Sequence, residues 1–408
     1  MAEVSSCRIC KSNLKDVFDL GIQAVASRFP AKDEPDPPSA PLVLVKCQGE
    51  CGLVQLKHTV SADEMYTHAY GYRSGLNEAM RSHLKTIVDD LYKYVTIQDG
   101  DVVLDVGSND GTLLSWHDKK ATRVGIDPTG PQFEKYYESD IILVPDFFSY
   151  GTYAKALGDR KARCVTTISM FYDLPDPLQF MKDVAQVLDP SGVWIMEQSY
   201  MPTMLETGSY DTICHEHLEY YCFKQIEWMT KRAGLRVIDV TLNDCNGGSF
   251  RVALCHESAP YPTNVENVQK IIVKDSTADI DAFVTRSEKH RQDICALLQR
   301  LKDEGKSVYL YGASTKGNTM LQYCGIGNNF ITSAAERNPM KFGCRTPNTD
   351  IPIVSEDEVR AAKPDYMLVL PWHFRAGFIE REREYLENGG NLIFPLPVID
   401  IVSKSTRT

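Results

Sequence analysis

The sequence predicts an α/β protein in which a small cysteine-rich module precedes two units of parallel sheet covered by helices. Three observations predict this fold class. Two cysteine pairs lie within the first 51 residues, strand and helix patterns alternate from about residue 100 to 200, and a second alternation begins near residue 305. Such alternation favours parallel sheets, because two parallel strands need a long crossover that a helix can supply.

The length of 408 residues corresponds to two or three domains at roughly 150 residues each. We expect a cysteine module at 1–68, a first α/β domain at 69–262 and a second at 263–408. The chain is 43% hydrophobic and 24% charged, which is typical of globular proteins. We expect a monomer or a small homo-oligomer.

The overall charge argues against nucleic acid as a partner. Lys and Arg total 44 against 55 Asp and Glu, so the net charge is −11, whereas nucleic-acid binders usually carry a basic surface. The first residues lack the apolar core of a secretory signal, and no run of 18 apolar residues would cross a membrane. We therefore expect a cytoplasmic protein that binds neither nucleic acid nor membrane.

The N-terminal cysteines form two closely spaced pairs, Cys7 with Cys10 and Cys47 with Cys51. Twelve cysteines in 408 residues are too few for a disulfide scaffold. Four cysteine thiolates held on two tight turns are a common ligand set for Zn²⁺. A zinc ion bound by four cysteines has no open coordination position, so such a site is structural rather than catalytic. The alternative is a set of free surface thiols. We predict a structural zinc ion.

The first α/β unit opens with an amphipathic helix pattern over 76–95, followed by strand patterns at 102–106, 123–126, 165–169 and 193–197. The first strand runs into a loop with Asp105, Gly107, Ser108 and Asn109. Glycines let backbone amides approach a ligand at a helix start. This loop lacks both GxGxxG and the P-loop pattern, and it resembles motif I of methyltransferases that use S-adenosylmethionine. The alternative is an ordinary strand-to-helix turn.

Two further strand ends complete the predicted cofactor site. Asp127 ends the next strand, where a carboxylate can accept hydrogen bonds from both ribose hydroxyls. Asp146 and Phe147 follow the third strand position, where a residue that contacts adenine is expected.

A histidine-rich segment, Cys214-His215-Glu216-His217, follows the last of these strands. The histidines are two residues apart, so one helix face cannot present both to a metal, whereas an extended segment would place them on one side. One alternative is a pair of buried, hydrogen-bonded imidazoles. We favour a general base with an orienting carboxylate, because histidine titrates near neutral pH.

The second α/β unit begins with a charged helix pattern over 276–304, which we interpret as a solvated linker helix with one apolar stripe. A strand at 307–311 leads into a loop with Lys316 and Asn318, whose amides and ammonium group could hold a pyrophosphate. An ordinary strand-to-helix turn is the alternative. Arg337 follows the next strand, predicted at 330–335, and further strands are predicted at 366–370 and 391–396.

Six motifs occur in one order: CRIC with CxxxCGLVQ, YGYRSG, DVGSNDGTLL, CHEHLEYY, NGGSFR and YGASTKGN. Together they resemble the sugar C-methyltransferases that act on nucleotide-linked 4-keto-6-deoxy sugars, over nearly the full chain. The resemblance implies a zinc module, a domain for S-adenosylmethionine and a C-terminal domain that closes over the sugar nucleotide. It implies C-methylation through an enolate, at C-3 or C-5 of the sugar, with C-3 favoured.

The resemblance also implies roles for individual residues. His217 is the base that removes the proton next to the ketone, and Glu216 either orients this base or contacts the sugar. Tyr72 and His215 are candidate donors to the enolate oxygen. The residues expected to contact the substrate are Cys214, Tyr221, Asn246, Lys316, Asn318 and Arg337.

Two departures from the family pattern stand out. Cys214 occupies a position that is commonly tyrosine, and a thiol is a poor replacement for a phenol as a hydrogen-bond donor. The second cysteine pair has three intervening residues rather than two. Three other functions stay open from the sequence: methylation of an oxygen or of another small metabolite, a non-catalytic zinc-containing binding protein, and a nicotinamide dehydrogenase.

Overall fold

The computed structural model describes residues 2–60 and 72–406. The predicted boundary between residues 68 and 69 and the first two residues of the YGYRSG motif lie outside this range. No helix of the described residues has both the length and the apolar character that a bilayer crossing requires.

The N-terminal module is built on antiparallel strands. They are β1 (Ala2–Glu3), β2 (Leu14–Ala24), β3 (Ser39–Cys47), β4 (Val54–Leu56) and β5 (His58–Thr59). The long β2–β3 pair was not predicted, because the prolines between the cysteine pairs indicate only an irregular stretch. These prolines lie mostly in the connection between β2 and β3, where the missing N–H groups cost no ladder hydrogen bonds.

The second unit contains a seven-stranded sheet. Its strands are β6 (Val102–Val106), β7 (Thr122–Ile126), β8 (Ile142–Val144), β9 (Ala162–Ile168), β10 (Leu188–Ser199), β12 (Leu235–Asn243) and β13 (Ser249–His256). The spatial order is β12-β13-β10-β9-β6-β7-β8, and β13 runs antiparallel to both neighbours. The four predicted strands are confirmed, and the predicted α/β fold class with them. All five residues of β6 are buried, as a central parallel strand requires.

Helices cover both faces of this sheet. They are α1 (Glu78–Leu91), α2 (Thr112–Ser115), α3 (Tyr150–Leu157), α4 (Pro177–Val187), α5 (Met201–Thr207) and α6 (Phe223–Ala233). The predicted amphipathic helix is α1, which buries Leu84, Ile87, Val88 and Leu91. Short 3₁₀ helices lie at Ser74–Leu76, Gly130–Tyr136, Phe171–Asp173, Tyr210–Thr212 and Cys245–Gly247.

The third unit repeats the α/β plan. Its helices are α7 (Val265–Asp275), α8 (Ile280–Asp303), α9 (Thr315–Cys324), α10 (Glu356–Ala362), α11 (Arg375–Arg381) and α12 (Arg383–Glu387). Its strands are β14 (Val308–Tyr311), β15 (Ala334–Glu336), β16 (Ile353–Ser355), β17 (Tyr366–Val369), β18 (Asn391–Phe394) and β19 (Asp400–Val402). The order is β16-β15-β14-β17-β18-β19, parallel except for β19. Additional 3₁₀ turns lie at Pro339–Lys341, Trp372–Phe374 and Lys404–Thr406.

The N-terminal module joins the other two units. Phe18 of β2 packs edge-on against Phe283 of α8 and Tyr323 of α9, with ring centroids 5.9 and 5.6 Å apart. The short strand β11 (Glu219–Tyr220), which follows the histidine-rich segment, pairs with β4 of the module. The module therefore fixes the histidine-rich segment and the third unit relative to one another.

Candidate active site

The strands β6, β7 and β9 are parallel, so their carboxyl ends meet at one edge of the sheet. Gly107 lies at this edge with φ of 75°, and a Cβ there would approach Met170 Cγ to 3.1 Å. Asn109 follows with φ of 49°. The tight loop predicted after β6 therefore needs glycine at position 107, because a side chain would collide with the loop after β9.

Asp127 braces this loop from the end of β7. Its Oδ2 accepts a hydrogen bond of 2.7 Å from the Asn109 amide, and its Oδ1 accepts from the amide and hydroxyl of Thr129 at 2.6 and 2.7 Å. A carboxylate offers about four acceptor positions, so capacity for a ribose hydroxyl remains. The loop geometry and a ribose contact are thus compatible at the same residue.

Asp105 and Ser108 lie deeper than a ligand contact would suggest. The Asp105 carboxyl accepts a hydrogen bond of 2.6 Å from Thr166 of the neighbouring strand, and burial raises its pKa to about 7. The Ser108 hydroxyl is buried and lies 2.8 Å from the hydroxyl of Tyr137. Both side chains therefore support the glycine loop from the protein interior.

The segment around Tyr72 lies across the glycine loop. The Ser74 amide donates to Asn109 Oδ1 and the Gly75 amide to Asp110 Oδ2, each at 2.9 Å. The Tyr72 side chain remains 50% exposed, and its partial burial raises its pKa to about 12. Its phenol is therefore protonated at neutral pH and able to donate a hydrogen bond.

Asp146 and Phe147 follow β8 at the outer end of the same sheet edge. The Phe147 amide donates to Asp146 Oδ1 at 2.7 Å, and the Phe147 ring is 48% exposed. An exposed ring at this edge of the sheet offers a flat surface for a purine base. The glycine loop, Asp127 and Phe147 together fit S-adenosylmethionine.

The histidine-rich segment forms a turn, closed by a hydrogen bond of 3.1 Å from the His217 amide to the Cys214 carbonyl. An extended conformation, in which both imidazoles would share one side, is therefore not adopted. The chain reverses here because β11 begins at Glu219 and must align with β4. The buried His215 ring bonds through Nε2 to the Ala40 carbonyl of the module at 3.2 Å.

His217 points in a different direction and is only partly buried. Its Nδ1 lies 2.8 Å from the Thr212 carbonyl oxygen, and its ring packs against Tyr172 with centroids 4.4 Å apart. A carbonyl only accepts hydrogen bonds, so Nδ1 carries the hydrogen and Nε2 carries the lone pair. Burial, helped by the Lys316 charge and opposed by Glu216, lowers the pKa of His217 to about 4.

The neighbours of His217 in the sequence are more deeply buried. Glu216 is buried beside the Cys214 thiol, whose pKa is raised by burial and by the Glu216 charge. Tyr221 is buried against Phe171, with ring centroids 5.5 Å apart. Its pKa is raised by burial and by Glu219, with a smaller influence from Cys7 and Cys51, so Tyr221 lies towards the cysteine cluster.

Lys316 of the third unit contacts the second unit close to the histidine-rich segment. Its ammonium group donates a hydrogen bond of 2.8 Å to the carbonyl of Asn246, and the Asn246 amide nitrogen lies 3.4 Å from the Ser169 hydroxyl. The Lys316 charge also contributes to lowering the pKa of His373, after burial, to about 3. A cation from the third unit thus lies close to two neutral imidazoles.

The other two predicted substrate residues of the third unit lie apart from Lys316. The Asn318 amide donates to the Ala26 carbonyl at 2.6 Å, so this buried side chain fastens α9 to the N-terminal module. The exposed Arg337 forms an ion pair with Glu356 at 3.5 Å. The structure therefore brings together His217, Lys316 and Asn246, but not Asn318 or Arg337.

Two groups near this site were missed by sequence reasoning. Asp211 is buried and accepts a hydrogen bond of 2.9 Å from the Trp372 indole, which links the turn beside His217 to the third unit. Glu197 is buried at the end of β10, where Arg251 Nε donates to it at 2.8 Å. An acidic residue at a strand end is a detectable signal, whereas the Asp211 partner is 161 residues away and has no local signal.

The four N-terminal cysteines come together in one cluster. Sulfur–sulfur distances are 3.5 Å for Cys7 and Cys51, 3.3 Å for Cys10 and Cys47, and 3.2 Å for Cys10 and Cys51. Four thiolates at about 2.3 Å from a tetrahedral Zn²⁺ would lie about 3.8 Å apart, so a small expansion of the cluster accommodates the ion. The cysteines fit zinc.

Comparison with known proteins places this architecture in a family. Family models match a zinc binding domain at residues 7–66, a methyltransferase domain at 76–240 and a C-methyltransferase C-terminal domain at 244–397. The C-methyltransferase NovU of Streptomyces niveus is 30% identical over 98% of this chain and 97% of its own length. The chain belongs to the C-methyltransferase family. The resemblance found in the sequence motifs is confirmed at this level.

Solved structures are similar to part of this C-methyltransferase. An S-adenosylmethionine-dependent methyltransferase of Clostridium acetobutylicum is 14% identical, with a TM-score of 0.34, over 42% of this chain and 90% of its own. The mitomycin 7-O-methyltransferase MmcR is 11% identical, with a TM-score of 0.31, over 44% of this chain and 55% of its own. With its family established, this protein is an S-adenosylmethionine-dependent methyltransferase.

Proposed function

We propose that this enzyme methylates C-3 of a nucleotide-linked 4-keto-6-deoxy sugar through an enolate, with His217 as the base. The observation that carries the proposal is the state of His217. Its Nδ1 hydrogen is committed to the Thr212 carbonyl, and its pKa of about 4 keeps the ring neutral at pH 7. A neutral imidazole with a free Nε2 lone pair is the species that proton abstraction requires.

The sugar acceptor is inferred from the six motifs that resemble sugar C-methyltransferases. The residues around His217 support an anionic, oxygen-rich substrate. Lys316 supplies a positive charge near His217 in a chain whose net charge is −11. A pyrophosphate needs such a local positive field, because the overall charge would repel it.

The chemistry at the sugar begins when His217 Nε2 takes the proton from C-3, leaving the electron pair delocalised to the ketone oxygen. Tyr72, a protonated phenol, is the donor that we propose for that oxygen. The proton stays on Nε2, where the neighbouring Glu216 charge favours the imidazolium form. His215, bonded to the module, would then position the turn rather than touch the enolate.

S-adenosylmethionine, when bound, supplies the electrophilic methyl group. We propose that the backbone of Gly107, Ser108 and Asn109 faces it, with Asp127 at the ribose and Asp146 and Phe147 at the adenine. The zinc ion would be structural, since four cysteines leave no ligand position open. The corresponding domains are 1–68 for zinc, 69–262 for the methyl donor and 263–408 for the sugar nucleotide.

The decisive experiment follows the proton at C-3. In D₂O, with S-adenosylhomocysteine present, the wild-type enzyme should exchange the C-3 hydrogen of a 4-keto-6-deoxy sugar nucleotide, as read by mass spectrometry. His217→Ala should abolish this exchange and methyl transfer while retaining S-adenosylmethionine binding by calorimetry.

His256→Ala is the matched control. His256 is a partly buried histidine in β13 that bonds to the Leu188 carbonyl, so its replacement should leave exchange intact. Methyl transfer without C-3 exchange would contradict the enolate and would indicate methylation of an oxygen. Exchange that persists in His217→Ala would overturn the assignment of the base.

A further inference from the structure

A second group of metal-binding side chains lies near the active site, apart from the cysteine cluster. His83 of α1, Glu197 at the end of β10 and Cys245 in the 3₁₀ turn before β13 each direct one donor atom inward. These nitrogen, oxygen and sulfur atoms all lie within 4.8 Å of one another. Within residues 2–60 and 72–406, only this group and the four cysteines have such an arrangement.

The carboxylate of Glu197 is held in one orientation by its other oxygen. Oε2 accepts hydrogen bonds from Arg251 Nε at 2.8 Å and from Asn243 Nδ2 at 3.0 Å. Oε1 is the atom that contacts His83 Nε2. Metal-binding carboxylates are typically fixed in this way by hydrogen bonds behind the ligand atom, which leaves one oxygen directed at the ion.

The charges around the group tolerate a cation. The positive charge of Arg251 is shared with Asp90, which forms an ion pair with the far end of the guanidinium group. Arg251 is thus balanced by two carboxylates, those of Asp90 and Glu197, so a divalent ion at Glu197 Oε1 would not face an unpaired guanidinium group.

The chemistry of the three ligands and the solvent exposure of the group indicate which metal would bind. Imidazole, thiolate and carboxylate together suit Zn²⁺, and three protein ligands leave a fourth position open, as in catalytic rather than structural zinc sites. His83 and Cys245 are both partly exposed, so an ion can enter from solvent. Cys245 is the direct neighbour of Asn246, to which Lys316 is hydrogen-bonded, so the group borders the active site.

We propose that His83, Glu197 and Cys245 form a second Zn²⁺ site, with an open coordination position, at the wall of the active site. Cys245 precedes Asn246, whose carbonyl accepts the Lys316 hydrogen bond. A bound ion would therefore immobilise the loop that contacts the third unit. The site does not depend on the proposed sugar substrate or on His217 as the base.

The test is the zinc content of the full-length protein. After equilibration in a zinc-buffered solution and gel filtration, elemental analysis should give two zinc ions per wild-type chain and one for Cys245→Ser or His83→Gln. Glutamine retains a donor for Glu197, which keeps the local hydrogen bond while removing the imidazole ligand. Thermal melting should confirm that both variants remain folded.

Cys344→Ser is the matched control, because Cys344 is also partly exposed but belongs to no ligand group among the described residues. It should retain two zinc ions. A wild-type chain that holds one zinc ion at saturation would overturn the proposal. So would two zinc ions in both Cys245→Ser and His83→Gln.

Discussion

His217 Nδ1 donates a hydrogen bond to the carbonyl oxygen of Thr212 at 2.8 Å, and this single contact decides which ring nitrogen is basic. Thr212 belongs to the same 3₁₀ turn as Asp211, whose carboxylate holds the Trp372 indole of the third unit. The position of the third unit and the tautomer of the base are therefore coupled through three consecutive residues. Closure of that unit and the competence of the base should change together.

The pH dependence of turnover should reflect the lowered pKa of His217. A depressed pKa means that the neutral base is fully present at pH 7 and is lost only as pH falls through about 4. With S-adenosylmethionine saturating, kcat/KM for the acceptor should be flat around neutral pH and decline near pH 4, measured after brief pH jumps. An acidic limb near pH 6.5 would contradict the buried environment of His217.

Replacement of His215 should separate stability from catalysis. This buried ring bonds to the Ala40 carbonyl, and loss of such a contact costs about 1–3 kcal/mol. His215→Ala should lower the free energy of unfolding by about that amount in urea titrations. It should reduce kcat far less than His217→Ala does. Equal losses of kcat in the two variants would instead give His215 a direct part in the reaction.

Replacement of Lys316 should weaken acceptor binding. A hydrogen bond to a charged group contributes about 1.5–3 kcal/mol, so Lys316→Met should raise the KM for a sugar nucleotide about 10- to 100-fold. Initial rates at saturating S-adenosylmethionine would measure this. Lys363→Met is the control, because Lys363 is an exposed lysine at the end of α10. The KM of this variant for the sugar nucleotide should equal that of the wild type. An unchanged KM in Lys316→Met would exclude the pyrophosphate contact.

Removal of zinc from the cysteine cluster should destabilise the second and third units as well as the N-terminal module. The module contributes β4 to the pairing with β11 and the Ala26 carbonyl to the bond with Asn318. Cys10→Ser should therefore lower the zinc content by one ion and Tm by several degrees, since each kcal/mol corresponds to about 2–4 °C in domains of moderate size. Retention of Tm with zinc lost would show that the cluster does not support the fold.

Local sequence patterns were sufficient to predict the four central strands of the sheet in the second unit. The first of its strands, β6, is a mostly apolar run that ends at Gly107, and it is buried throughout as that pattern predicts. The four cysteines are equally clear, because their spacing reflects the coordination of a single ion. The antiparallel β2–β3 pair was missed, since its partners join across a proline-rich connection.

The histidine-rich segment shows where local reasoning fails. The sequence identified the residues, but it left their conformation open because nothing nearby indicates the pairing of β11 with β4. That pairing joins Tyr220 to Val54, 166 positions earlier, and it forces the turn that separates His215 from His217. Side-chain direction within a short loop is determined by distant partners.

By itself, the sequence determined the α/β class, the cysteine cluster, the glycine loop and the family. These features depend on spacing within a few residues, where periodicity and coordination chemistry act directly. Only the tertiary structure decided that His215 faces the module, that His217 carries its hydrogen on Nδ1, and that the charge of Lys316 acts on His217. Those relationships arise from contacts between distant segments, which depend on how the three units pack rather than on any local pattern.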